Sequence, residues 1–173
     1  MKRLLLILSL LLILASNGMA QTFSIGPNVG YTKAKDADKG TYLFGGAARL
    51  TFLMFGVEGT IHYSEQKYYN DQIKVQQYPV SVSGMFFPLP FIYAAAGLDW
   101  FNAKTTVSIA GLSDSQTSSE TGYHFGAGVH LSLGGVILTG DARYLFLGKM
   151  KVPSGSEIDN SNLVLSVGLL FKL

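Results

Sequence analysis

The sequence predicts an all-β protein: an eight-stranded antiparallel up-and-down β-barrel that crosses a membrane. Three observations carry this reading. Segments of about ten residues alternate apolar and polar along their length and are bounded by turn residues. The ionic side chains of those segments all share one face, which also holds several glycines. The joins between segments alternate short and long.

The chain opens on "MKRLLLILSLLLILASNGMA", in which Lys2 and Arg3 precede an apolar run from Leu4 to Ala15 and the small residues Gly18 and Ala20. That is the pattern of a secretory signal peptide over 1–20, with cleavage expected after Ala20. The run is too short for a membrane-spanning helix, which needs about 20 apolar residues. Of 13 basic residues, two lie in this leader, so 21–173 is formally neutral against 11 acidic residues. The remaining Lys and Arg alternate with acids, as in "KAKDADK", so no nucleic-acid partner is implied. With no cysteine, disulfides and thiolate metal sites are excluded. The remainder, 21–173, has the size of one domain.

Each segment splits into two faces, because successive side chains on a strand point oppositely. In 22–33, Phe23, Ile25, Val29 and Tyr31 oppose Ser24, Asn28 and Thr32; Pro27 lacks a ladder donor, so a bulge is expected there. In 40–52, Tyr42, Phe44, Ala48, Leu50 and Phe52 oppose Arg49 and Thr51. In 55–64, Val57, Ile61 and Tyr63 oppose Glu58, Thr60 and His62. In 76–86, Tyr78, Val80, Val82 and Phe86 oppose Ser81 and Ser83, with Pro79 a second awkward proline. In 91–101, Ile92, Ala94, Ala96, Leu98 and Trp100 oppose Asp99. In 122–133, Phe125, Ala127, Val129, Leu131 and Leu133 oppose His124, His130 and Ser132. In 136–147, Val136, Leu138, Ala142, Tyr144 and Phe146 oppose Thr139, Asp141 and Arg143. In 162–173, Leu163, Leu165, Val167, Leu169, Phe171 and Leu173 oppose Ser166 and Lys172, and this last segment is expected to pair with the first and close the cylinder.

The apolar face carries no charge, while Arg49, Arg143 and Lys172 balance Glu58, Asp99 and Asp141 on the other. A midplane Lys or Arg facing lipid would cost about 2–4 kcal/mol, so the charge-free face meets outer-membrane lipids and the ionic face lines the lumen. Short joins near 53–54, 87–90 and 134–135 are expected periplasmic turns. Longer ones near 34–39, 65–75, 102–121 and 148–161 are expected extracellular loops.

Eight strands leave an interior about wide enough for side chains to fill. Arg49, Glu58, His62, Asp99, His130, Asp141 and Arg143 are therefore expected to form a salt-bridged lumenal network, with Glu58 and Arg143 one pair and Arg49 and Asp141 or Asp99 nearby. No cofactor and no metal site are expected: His124 and His130 lie about 20 Å apart along one strand, too far to share an ion. "GAG" at 126–128 lacks the third glycine and the following helix of a dinucleotide loop. Tyr31, Tyr42, Tyr63, Tyr78, Tyr123, Tyr144 and Trp100 are expected in interfacial girdles. Of the loops, "SEQKYYNDQ" and the Ser/Thr-rich "TTVSIAGLSDSQTSSET" are the candidates to meet an extracellular partner.

The stretches "FSIGPNVGYT", "VEGTIHYSEQ", "VQQYPVSVSGMFF", "FIYAAAGLDW", "YHFGAGVHLSL" and "TGDARYLF", in this order, resemble the small outer-membrane β-barrel family of Gram-negative bacteria, particularly its PorT-like members. The resemblance implies a location in the cell outer membrane, and recognition by the barrel assembly machinery. Family members usually end in an aromatic residue; here the last residue is Leu173 and the aromatic is Phe171. A non-enzymatic structural or surface-interaction role is expected. Two alternatives remain. Lipid A deacylases are similar in size and use a His-x-Ser pair, but by parity His130 and Ser132 face the lumen, where such enzymes face lipid. A secreted lipocalin-like cup would need an apolar interior, which the ionic face opposes.

Overall fold

In a computed structural model the described residues are 21–34, 40–68, 73–109, 112–151 and 157–173. The expected leader therefore lies outside the described residues. Eight antiparallel strands run in chain order: β1 (Gln21–Ala34), β2 (Thr41–Phe52), β3 (Phe55–Tyr68), β4 (Ile73–Leu89), β5 (Ile92–Ile109), β6 (Leu112–Leu133), β7 (Val136–Lys151) and β8 (Glu157–Lys172). Each pairs with its neighbours in sequence, and β8 returns to β1 with Val29 opposite Val167 and Ser24 opposite Lys172, closing the barrel. Closure leaves no open sheet edge, the condition for a β structure within hydrocarbon.

Side-chain direction follows the alternation. Phe44, Ile61, Leu98, Phe125, Val129 and Leu165 stand exposed on the outside, whereas Arg49, Glu58, Asp99, Asp141 and Arg143 are buried inside. Tyr31 packs on Tyr42, Tyr63 on Tyr78 and Tyr123 on Phe146, at centroid separations of 5.4, 5.3 and 4.9 Å, toward the loop end of the outer surface.

Three expectations are corrected. No bulge forms at Pro27: the β1–β8 register passes from Ile25↔Phe171 to Asn28↔Gly168 without a slip, and the ladder skips Gly26 and Pro27. Pro79 behaves alike, pairing with Phe101 on β5 while the β3–β4 ladder is skipped between Ile61↔Val80 and Ser64↔Gln77. A missing N–H costs a ladder bond, and omitting that bond on one side is enough. The register shifts fall instead between Phe86 and Leu89, around Pro88, and between Phe146 and Lys149.

Much of the expected loop sequence is paired strand. The β5–β6 ladder continues out to Ile109↔Leu112, through most of 105–121, and β3 and β4 pair out to Tyr68↔Ile73. Outside a bilayer neither face of a strand has to be apolar, so the alternation that marks a strand can disappear while Thr, Val and Ile still favour extended backbone. Positions 110–111 of the Ser/Thr-rich stretch and 69–72 of the tyrosine-containing one lie outside the described residues.

The inner face is also less polar than its charges imply. Met85, Phe87, Tyr93 and Ala95 form one buried apolar cluster toward the turn end, and Ala47, Ile137 and Leu170 a second. Leu43, Leu145 and Val164, with Phe101 against them, form a third toward the loop end.

Candidate functional site: the lumen

Strand spacing determines who can meet whom across the inner wall. Adjacent strands lie about 4.8 Å apart, so residues two strands apart face each other over roughly twice that distance and touch only if the intervening side chain is absent. Inward glycines supply those gaps. In one row Ser83, Gly97 and His124 are register partners, and a Cβ on Gly97 would fall 2.8 Å from His124 Cε1. In another, Tyr93, Gly128 and Asp141 align, and the Tyr93 hydroxyl passes over Gly128 to Asp141 Oδ2 at 3.1 Å. In a third, His62 Nε2 reaches Asn28 Oδ1 at 2.7 Å across Gly45.

Glu58 is the centre of the ionic cluster. Its Oε2 accepts from Arg49 Nε at 2.8 Å and Nη2 at 2.5 Å, and its Oε1 accepts from Arg143 Nη2 at 2.5 Å. Arg143 Nε also donates to Asp141 Oδ1 at 2.7 Å, while Ser166 Oγ donates to Asp141 Oδ2 at 3.0 Å. The Arg49 guanidinium lies 4.9 Å from the Tyr93 ring centroid, a cation–π contact, and its Nη1 is 3.1 Å from His130 Nδ1. Two guanidiniums thus balance two carboxylates, each carboxylate oxygen accepting at least one donor, which is how ions survive burial.

Asp99 takes a different partner from the arginines. Its Oδ2 lies 2.7 Å from His124 Nδ1, and His124 Nε2 lies 2.9 Å from Ser83 Oγ, which also accepts from Arg143 Nη1 at 3.1 Å. Asp99 therefore joins the cluster through His124 and Ser83. His62 stands apart from it, bonded to Asn28, and Lys172 reaches Ser132 Oγ at 2.5 Å near the turns. His130 and Ser132 point inward to different partners, Arg49 and Lys172. Among the described residues no three His, Asp or Glu side chains converge as metal ligands.

Sequence reasoning missed Tyr93, Ser83 as the link to His124, and Asn28 as the partner of His62. The inward glycines opposite them in register were the available signal, but a register must be known before a row can be read.

The lumen is filled in layers, apolar toward the turns, ionic in the middle and apolar again toward the loops. Arg49 and Tyr93, which join the first two layers, are fully buried. The expected result in a planar bilayer is therefore an absence of stepwise ion conductance from the purified protein, and steady channel openings would contradict the layered filling.

Solved structures share this architecture. The attachment invasion locus protein Ail of Yersinia pestis superposes with a TM-score of 0.61 at 16% identity, over 88% of this chain and 97% of that one. A major outer membrane protein of Thermus thermophilus gives the same score and identity over 89% and 100%. Neisserial surface protein A gives 0.51 at 18% over 87% and 97%. At these identities the likeness is one of fold. No curated protein matches the sequence. The family model described as the outer membrane protein beta-barrel domain matches residues 4–171, nearly the whole chain, and with the closed eight-stranded barrel already described, the chain belongs to that outer-membrane β-barrel family.

Proposed function

We propose that the protein is a non-enzymatic outer-membrane barrel with a structural or surface-interaction role, exported through cleavage of the leader after Ala20, assembled by the barrel assembly machinery and held by membrane lipids. The observation that carries this reading is the filled lumen: the buried ionic cluster is flanked toward the turns and toward the loops by buried apolar side chains, which supports an interior that braces the barrel. The extracellular partner, where there is one, is met by the hairpins that continue past the membrane, of which β5–β6 pairs furthest along its length. Within the family, the ordered stretches quoted above favour the PorT-like members. Fractionation tests the location: the protein should need detergent for release and run differently on SDS gels with and without boiling. Recovery in the soluble periplasm would overturn the reading.

A hydrolytic reading has one observation in its favour, the Asp99–His124–Ser83 relay, whose distances are those of a nucleophilic serine with its base and orienting carboxylate. Ser83 and His124 are fully buried, however, and Ser83 Oγ is already occupied by Arg143. We therefore assign the relay to bracing. The expected result is no hydrolysis of p-nitrophenyl esters or lipid A by the purified protein and a lowered unfolding midpoint for Ser83→Ala. Ester hydrolysis that Ser83→Ala abolishes would reverse the assignment.

A further inference from the structure

The three turns at the closed end of the barrel differ in chemistry. Between β6 and β7 the two turn residues are Gly134 and Gly135, and Gly134 takes a left-handed φ of 63°, which glycine adopts without strain. Between β2 and β3 the corresponding residues are Leu53 and Met54, and Leu53 holds a φ of 51° that a branched side chain adopts rarely. Leu53 and Met54 are 69% and 51% exposed, where Asn or Gly would relieve the backbone and suit water. The next turn in space, between β4 and β5, is also apolar: Pro88, Leu89, Pro90 and Phe91 stand exposed, and Phe87 N–H donates to Met54 O at 2.8 Å, joining the two tips.

This patch continues the lipid-facing surface without a break. Phe52, Phe55 and Phe86 form a row on the outer wall, with centroid separations of 6.1 and 5.6 Å, leading directly into the tips. No charged residue occurs in 52–55 or 86–92. The outward aromatics of this rim are phenylalanines, whereas the outward tyrosines among the described residues lie toward the loops, where a hydroxyl can stay among headgroups. The opposite side of the rim carries the exposed Leu133 and Leu173 as well, but its turn is Gly134–Gly135 and Gln21, Lys172 and Ser132 lie beside it, so no apolar tip extends the wall there.

We propose that the β2–β3 and β4–β5 turns are sunk into the acyl–headgroup boundary of the periplasmic leaflet, so that this side of the rim is a lipid anchor while the β6–β7 turn remains in water. The proposal rests on the membrane reading above and deepens it. The partner is phospholipid, because the tips extend the apolar outer wall that this reading turns to lipid and offer no polar side chain for a protein to recognise.

The chain has no cysteine, so single nitroxide labels can be placed through Met54→Cys, Leu89→Cys, Gly135→Cys and, as a mid-barrel control, Leu165→Cys. Each variant is reconstituted alone in phosphatidylcholine vesicles with a water-soluble nickel chelate on both sides. Collision rates with oxygen and nickel are then compared. Positions 54 and 89 should give an oxygen-to-nickel ratio below that at 165 but several-fold above that at 135. A nickel-dominated 165 would defeat the membrane reading itself. With 165 lipid-like, nickel-dominated 54 and 89 would overturn the anchor, and a lipid-like 135 would overturn its one-sidedness.

Discussion

Replacing Glu58 by Gln should lower the stability of the folded barrel by about 3–5 kcal/mol, the cost of stranding buried charge. Glu58 is the only described acid that two arginines share: its two oxygens hold Arg49 and Arg143, both buried. The amide keeps the shape but leaves the guanidiniums facing each other with Asp141 as the remaining anion of the cluster. Urea unfolding in lipid vesicles, followed by Trp100 fluorescence and by the gel shift on boiling, measures the loss. The double variant with Arg49→Met should recover part of it, since among the described residues Arg49 bonds no acid but Glu58 while Arg143 keeps Asp141, and a pair removed together costs less than one partner removed alone. A single-variant loss under about 1 kcal/mol would place these ions in water instead of a dry lumen.

Gly97→Ala should also be strongly destabilising, and Gly59→Ala its opposite. A Cβ at Gly97 would sit well inside contact distance of the Val82 carbonyl oxygen and against the His124 ring, so either β4 must move or the imidazole must leave Ser83. Overpacking of this kind costs about 1–3 kcal/mol, and breaking the relay adds to it. Gly59 faces outward, and a methyl group added there would meet no atom within 4 Å. A strand glycine is roughly 0.5–1 kcal/mol less stable than alanine. The two variants should therefore shift the urea midpoint in opposite directions. Equal effects would mean that the inward glycines are not spacers.

The barrel was legible in the sequence because membrane burial enforces the alternation. Phe44 beside Arg49 and Val129 beside His130 have no other consistent placement, and the strand order follows once consecutive strands pair. The strand ends were not legible, because past the girdles nothing requires one face to be apolar, and residues such as Thr117 or Ser119 carry no facial signal. The inner apolar layers were missed for a related reason. Leu43, Ile137 and Leu170 follow the parity of the polar face, but an isolated leucine there looks like a lapse in the pattern until its neighbours across the lumen are known. The Glu58–Arg143 contact joins residues 85 apart in sequence, and only barrel closure makes it specific. The bulge misplaced at Pro27 reflects a choice between two responses to a missing donor, a slip of register or one omitted bond, that local sequence does not make.

The wiring of the ionic layer also has a bearing on how such a chain enters a bilayer. Arg49 finds Glu58 on the adjoining strand nine residues later, Arg143 finds Asp141 two residues before it, and Asp99 finds His124 on the next strand. Each of these groups thus has a hydrogen-bond partner that arrives at nearly the same moment as itself. Hairpins delivered one after another would present these polar groups already partnered to the surrounding hydrocarbon, and only the last seam, when β8 meets β1, would need to bring the far walls together.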